Sequence, residues 1–237
     1  MQQPPLPFWT RITWRHPQWW LFVVSLLAWV AMGLHTYSTE SPSTHHHHSN
    51  PFMTMSWTSE TYCWMLMVVA MMLPLISDSA RSVAARSLWF RRQRAIVGFV
   101  LGYLSVWLAA GIAVSFLLPA LQSQEWFDPR AAMTFSFVLA VAWQAIPIKK
   151  RALIACHRTR PIAPDGFKAN LDCVRYGRMI GGSCLLNCWA WMLFCTMTGH
   201  YPGAMIFAMF IGIAERYPIR RLFRINLPPS TLSASIR

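Results

Sequence analysis

Residues 63–74 read CWMLMVVAMMLP, an apolar run that ends in a proline. The segment around it, residues 59–77, approaches the roughly 20 residues that an α-helix needs to cross a bilayer. Comparable segments occupy residues 19–37, 95–118 and 131–148. A longer one, 180–214, is interrupted at Gly199-His200-Tyr201-Pro202-Gly203, which predicts two short helices joined by a tight turn. The pattern predicts an all-α, polytopic membrane bundle of about six helices.

The composition supports this fold class. Of the 237 residues, 55% are hydrophobic and 12% are charged, about half the charge of a typical soluble domain. Six spans would leave room only for loops and tails. We therefore expect a cytoplasmic N-terminal segment at 1–18, a six-helix transmembrane domain at 19–218 with an outer loop at 38–58, and a cytoplasmic C-terminal tail at 219–237.

The net charge of +13 is distributed unevenly along the chain. In the six-span arrangement, every Lys and Arg except Arg130 falls on the same side as the two termini. The positive-inside rule then predicts a multi-pass protein of the bacterial inner membrane with both termini in the cytoplasm. Contact with the lipid bilayer and its anionic headgroups accounts for the basic excess, so nucleic acid is not required as a partner.

The second predicted span carries methionines at helical spacing. Met67 and Met71 are four residues apart and share one helix face, and Met72 lies beside them. Thioethers bind Cu(I), so this face offers two donors to one ion. Methionines are also ordinary packing residues in membrane helices, and the pair is informative only together with what faces it.

The fifth predicted span carries thiols at the same spacing. Cys184 and Cys188 are four residues apart, and antiparallel spans two and five would place them near the depth of Met71 and Met72. Thiolate and thioether in a dry interior favour Cu(I), with zinc as the alternative ion. The competing interpretation is two small apolar residues at a helix interface.

The predicted outer loop adds further soft ligands. Imidazole suits copper and zinc, and thioether favours Cu(I), so the loop is a candidate for collecting a metal at the outer face. The alternative is a flexible polar loop without a ligand. The candidate residues are His45, His46, His47, His48, Met53 and Met55.

Three motifs carry a family resemblance. They are Trp64-x-x-Met67-x-x-Ala70-Met71-Met72-Leu73-Pro74, Trp143-Gln144-x-x-Pro147-x-Lys149, and Cys184-x-x-x-Cys188-Trp189 followed by Glu215. Their order and spacing, from Trp57 to Glu215, resemble a bacterial family of predicted metal-binding integral membrane proteins. The resemblance implies metal binding in a membrane and leaves the biochemical role undefined.

The chain departs from the pattern of that family at two positions. Asn187 and Ala152 stand where the family commonly has cysteines, which reduces the expected thiolate cluster. Cys156 remains as a lesser candidate ligand.

Several polar residues have plain interpretations. Lys149 is expected to extend to the lipid headgroups, and Glu215 to pair with the adjacent Arg216 at the membrane surface. Gln144 is expected to bond across helices. Near the outer face, His35 and His200 are expected to be interfacial.

The residues support binding of a soft transition metal for transport, delivery or storage. No Rossmann glycine pattern, phosphate loop, nucleophile elbow or zinc-protease His-Glu pair appears, so we favour a protein that is not an enzyme. One alternative is an accessory, assembly or structural subunit of a larger membrane complex, anchored by the 13 Trp residues. Another is thiol–disulfide redox chemistry through a Cys63–Cys195 disulfide. A metalloenzyme or membrane-complex partner, and a homo-oligomer built on small residues, also remain open.

Overall fold

The computed structural model describes residues 16–40, 57–124, 127–158, 163 and 166–225, and the side chains of all of these except 37–40, 89 and 217–225. Within these ranges the chain is all-helical, as the sequence predicts, and has no strand. A single 3-10 turn, Trp89–Arg91, precedes the fourth α-helix. The eight α-helices are α1 (Trp19–Glu40), α2 (Trp57–Leu75), α3 (Ser77–Arg86), α4 (Arg92–Gln122), α5 (Pro129–Ala145), α6 (Pro147–Ala155), α7 (Gly166–Met197) and α8 (Pro202–Ile225).

Helices α4 and α7 run parallel and form the most extensive helix pair of the bundle. Glycines make their contact possible. A Cβ atom on Gly102 would overlap the backbone of Val174, and one on Gly177 would overlap the carbonyl oxygen of Phe99. Small residues let two helix backbones approach closely enough for extensive van der Waals contact. This pair forms the centre on which the other helices pack.

Helix α2 lies antiparallel between α1 and α4. From α1, the Ser25 hydroxyl donates to the Ala70 carbonyl at 2.6 Å. Towards α4, the Trp64 indole donates to the Trp107 carbonyl at 3.1 Å. These side-chain bonds satisfy polar groups inside an apolar core, where an unpaired donor or acceptor is costly. They fix the register of the three helices.

Prolines and a glycine turn divide the long apolar segments. Pro147 follows extended Ile146, and α5 and α6 meet there at an angle of 74°. The α7–α8 turn contains Gly199 and His200, whose φ angles are +67° and +61°, and Pro202 begins α8. The predicted break at residues 199–203 is therefore confirmed.

Contacts define two ends of the bundle. The end that we call the His200 end contains the α7–α8 turn, the C-terminal part of α1 and the start of α2. It also contains the stacked rings of Trp57 and Phe116. The opposite end, called the Arg216 end, contains the start of α1, α4 and α7 and the last turn of α2.

The predicted count of six spans is not confirmed. Four helices in the described part of the chain are long and apolar enough to cross a membrane: α1, α2, α4 and α7. The bent pair α5 and α6 adds a fifth if it is counted as one span. Helix α8 does not meet the same test. Its apolar run ends at Ala214 and is followed by Glu215 and Arg216.

The two helices of the last apolar segment are longer than predicted. Helix α7 begins at Gly166 and has 32 residues, whereas the apolar pattern places its start near Ile180. The first turns of α7 carry Lys and Arg, which lower the mean hydropathy of this segment, so hydropathy alone does not detect the helix there. Their buried positions Ala169, Cys173 and Tyr176 nevertheless recur at helical spacing.

Replacing Gly177 with Ala should disrupt the bundle, because the added methyl group would meet the Phe99 carbonyl oxygen of α4. We expect Gly177→Ala to lower the free energy of unfolding by about 1–3 kcal/mol or more. Thermal unfolding in detergent, followed by circular dichroism, measures this. The matched control is Gly182→Ala on the same helix, where a Cβ meets nothing within 4 Å. Equal effects of the two variants would contradict glycine-mediated packing.

Candidate metal centre

The side chain of Cys184 lies at a meeting point of helices. It projects from α7 and is fully buried. The Tyr103 hydroxyl of α4 donates to its Sγ at 3.1 Å, and Nη2 of Arg216 on α8 donates to the same Sγ at 3.2 Å. The Cys184 Sγ also lies 4.0 Å from the Sδ of Met72 on α2. Four helices thus converge on one sulfur atom.

Two further thiols belong to this site. The buried side chains of Cys156 and Cys188 lie close enough to Cys184 to interact with its thiol. Asn187 Nδ2 donates to the Cys188 Sγ at 3.4 Å. We call the group of three cysteines with their neighbours the Cys184 cluster. It comprises Met72, Tyr103, Cys156, Cys184, Cys188 and Arg216.

Local sequence explains how the three thiols meet. Cys184 and Cys188 share a face of α7 because they are one helical turn apart. Cys156 comes from a different element, since it is the C-cap residue of α6. Helix α6 turns away from α5 at Pro147, and this bend brings Cys156 back to α7.

Arg216 places a positive charge inside the cluster. Its side chain is 4% exposed, and Nη1 donates to the Leu75 carbonyl at 2.6 Å. Leu75 is the last residue of α2, where the carbonyls lack intrahelical partners and a cation is favourable. A buried cation also requires compensation. The guanidinium beside Cys184 is suited to balance negative charge on that sulfur, and thiolate is the form of cysteine that binds metals.

A second buried pair lies on the same turn of α8. Lys149 of α6 donates to the Glu215 carboxylate at 2.6 Å, and its Nζ also contacts the Gln144 side-chain oxygen. The Lys149 side chain is only 4% exposed, so the expected extension to lipid headgroups is wrong. Glu215 pairs with Lys149, whereas Arg216 points to Leu75 and Cys184, so the expected Glu215–Arg216 pair is not observed. The bend at Pro147 turns Lys149 inward.

The sequence-predicted ligands have different placements. Met72, Cys184 and Cys188 come together, and the lesser candidate Cys156 joins them. Met67 and Met71 are buried on α2 but have no hydrogen bond to the cluster among the described contacts. Outside the described residues lie His45, His46, His47, His48, Met53 and Met55.

Sequence reasoning missed Tyr103 and the role of Arg216. Tyr103 is one tyrosine in an apolar helix, and only its contact with Cys184 distinguishes it. Arg216 was expected to pair with its neighbour Glu215. Its inward direction depends on how α8 packs against α2, which no local pattern reveals.

Near the other end of the bundle, the His200 side chain is buried and 8% exposed. Burial and the nearby charge of His35 lower the pKa of the His200 imidazole from 6.5 to about 4. This imidazole is therefore neutral at pH 7.

All six cysteines, each in the described part of the chain, are free and buried, so the Cys63–Cys195 disulfide is not formed.

The donor set of the Cys184 cluster suits a soft metal. Within the described residues, no three His, Cys, Asp or Glu side chains are grouped so that they could hold a metal ion. An ion at the cluster would therefore depend on the Met72 thioether beside the Cys184 thiol, and not on three thiols at once. Thiolate and thioether ligands select Cu(I), whereas Mg²⁺ and Ca²⁺ need oxygen ligands.

A family model described as PpoB2, copper chaperone, matches residues 61–227. The chain belongs to this family. Among curated proteins and among solved structures, no match is found. The region shared with the PpoB2 family contains every member of the Cys184 cluster and the buried Lys149–Glu215 pair. Membership of this family supports the copper-related role that the sulfur ligands predict.

Replacing Glu215 and replacing Lys149 should lower the free energy of unfolding by different amounts. Glu215→Gln leaves a buried ammonium without its carboxylate and should destabilise the protein by about 3–5 kcal/mol. Lys149→Met should cost less, because the Glu215 side chain is 20% exposed and reaches solvent. Thermal unfolding in detergent compares the two variants. A larger loss for Lys149→Met would contradict the buried-cation interpretation.

Proposed function

We propose that this protein is a multi-pass membrane copper chaperone that binds Cu(I) at the Cys184 cluster. The observation that carries the proposal is the 4.0 Å approach of the Met72 thioether to the buried Cys184 thiol, with the buried thiols of Cys156 and Cys188 as neighbours. Membership of the copper chaperone family supports copper as the cargo. The proposed oxidation state follows from the ligands, since sulfur donors favour Cu(I).

The membrane location rests on apolar surface. Helix α1 exposes Leu26, Leu27 and Leu34, and α5 exposes Phe135 and Val138. Apolar side chains exposed along whole helices are costly in water and favourable in hydrocarbon. With the distribution of Lys and Arg, they support the bacterial inner membrane and cytoplasmic termini as our proposal.

Arg216 would act as the resident counter-charge of the site. Its guanidinium donates to the Cys184 Sγ at 3.2 Å, where it would balance the charge of a thiolate. A Cu(I) ion that bonds to Cys184 takes over this balancing role, so Arg216 and Tyr103 would withdraw from the sulfur as the ion enters. The reverse exchange would favour release of the ion. Such competition suits a chaperone, which must bind its cargo and also give it up.

Buried sulfur continues along both helices away from the cluster. On α2, Cys63, Met67 and Met71 follow one another at four-residue spacing and are each at most 2% exposed. On α7, Met192 and Cys195 continue the face of Cys184 and Cys188. Several similar sulfur sites would let an ion move by exchange, where a single tight site would trap it.

In this proposal, the segment that links α1 and α2 captures copper through His45 to His48, Met53 and Met55. The ion then passes to the Cys184 cluster and on to a metalloenzyme or membrane-complex partner. Zinc at the same cluster and a purely accessory role in a larger complex are the alternatives that experiment must separate.

The central test is Cu(I) binding by detergent-purified protein, prepared anaerobically and titrated against a chromogenic Cu(I) chelator. We expect Cys184→Ala to weaken Cu(I) binding by more than about 100-fold, since it removes the central ligand. The matched control is Cys173→Ala, another buried cysteine of α7 that lies against Gly98, away from the cluster. Elemental analysis of the same samples distinguishes copper from zinc.

Two results would contradict the proposal. Equal copper in wild type, Cys184→Ala and Cys173→Ala would exclude the Cys184 cluster as the site. Absence of bound copper from well-folded wild-type protein would favour the accessory role.

The counter-charge role of Arg216 has its own test. Arg216→Lys keeps the charge but loses the geometry that reaches both Cys184 and Leu75, so Cu(I) affinity should change by about 10-fold or more. Tyr103→Phe should give a smaller change, because it removes one neutral donor. Cu(I) transfer rates to the chelator report the release step. Unchanged affinity and transfer rate in Arg216→Lys would show that the guanidinium only stabilises the fold.

A further inference from the structure

Helix α6 forms one wall of the Cys184 cluster. Its C-cap residue, Cys156, is buried and lies close enough to Cys184 to interact with the Cys184 thiol. The Cys184 side chain is itself fully buried. A thiol reagent, a metal ion or a partner protein can therefore reach Cys184 only after some part of the bundle has moved. Three features of α6 make it the wall that moves most easily.

The first feature is a hinge at the start of α6. Ile146 is the single residue between α5 and α6, its ψ of 131° is extended, and the two helices meet there at 74°. Pro147 follows and has no amide hydrogen, so it removes one of the backbone bonds that would join the two helices into one. A change in the backbone angles of Ile146 would therefore swing α6 relative to α5.

The second feature is the small number of buried apolar side chains on α6. The helix has nine residues, and isolated helices of this length are marginally stable at best. Its buried side chains are those of Lys149, Ala152 and Leu153. In contrast, Ile148 and Ile154 are 52% and 45% exposed. A segment that buries few apolar side chains opens at a lower free energy than the core of the protein.

The third feature is the polar contact that fastens α6 to its neighbours. The Lys149 ammonium donates to the Glu215 carboxylate of α8 at 2.6 Å and also contacts the Gln144 side-chain oxygen of α5. Beyond α6, the Tyr176 hydroxyl of α7 donates to the Arg158 carbonyl at 3.1 Å. Glu215 is 20% exposed, and a moving α6 would carry Lys149 to the surface. Opening would therefore leave neither charge buried without a partner.

We propose that α6 is a gate of the Cys184 cluster, hinged at Ile146 and held closed by the Lys149–Glu215 pair. When the gate opens, Cys156 moves away from Cys184, and the cluster becomes accessible from the Arg216 end. That this opening admits or releases Cu(I) rests on the proposed function. The opening itself needs no metal and is tested without one.

Thiol labelling of the metal-free protein measures the opening. Detergent-purified protein is treated with N-ethylmaleimide, and peptide mass spectrometry follows the modification rate of each cysteine. We expect Lys149→Ala to increase the rates at Cys156 and Cys184 by about 10-fold or more, because opening no longer breaks an ion pair. The rate at Cys195, a fully buried cysteine of α7 near the His200 end, should stay unchanged.

The matched control is Lys150→Ala. Lys150 is the next residue of α6, and its side chain is exposed, so this variant removes the same charge and leaves the ion pair intact. If Lys149→Ala accelerates labelling of Cys195 as much as labelling of Cys184, the whole fold has loosened and the gate is wrong. Unchanged labelling of Cys184, or equal effects of the two lysine variants, would also overturn the gate.

Amide hydrogen exchange tests the gate in the unchanged protein. If α6 opens as a unit, the amides of residues 151–156 should exchange faster than those of residues 184–192 in the middle of α7. Equal protection of the two segments would contradict the proposal.

The results separate the gate from the proposed function. If Cys184→Ala abolishes copper binding but labelling shows no opening of α6, the copper site stands and the gate is wrong. If α6 opens but the wild type binds no copper, the gate stands and the copper site is wrong. If both stand, Lys149→Ala should transfer Cu(I) to the chelator faster than Lys150→Ala. Equal transfer rates would show that copper does not leave through the gate.

Discussion

The close contact between α4 and α7 is the constraint on which the rest of the structure depends. Gly102 and Gly177 leave no room for a Cβ atom between the two backbones. The same contact brings the Tyr103 hydroxyl of α4 to the sulfur of Cys184 on α7. Because backbone packing fixes this distance, the geometry around Cys184 is part of the core and does not depend on a mobile loop.

Buried charge is the second constraint, and α8 supplies two adjacent residues to it, Glu215 and Arg216. Arg216 and Lys149 are both almost fully buried, which is tolerated only with compensating partners. Lys149 has Glu215, whereas Arg216 has the carbonyl at the end of α2 and the Cys184 sulfur. The Arg216 guanidinium donates to the sulfur atom at which we propose that copper binds, so it would compete with the ion there.

Apolar periodicity and residue spacing in the sequence determined the all-helical class, the turn at 199–203 and the sharing of a face by Cys184 and Cys188, because these are local properties of a helix. Hydropathy did not detect the first turns of α7, because charged residues share that part of the helix with a buried face. The predicted count of six spans was not confirmed. Only the tertiary structure decided that Cys156, Tyr103 and Arg216 lie beside Cys184. Those contacts depend on a 74° bend at Pro147 and on glycine-mediated packing between distant segments, and no local pattern encodes them.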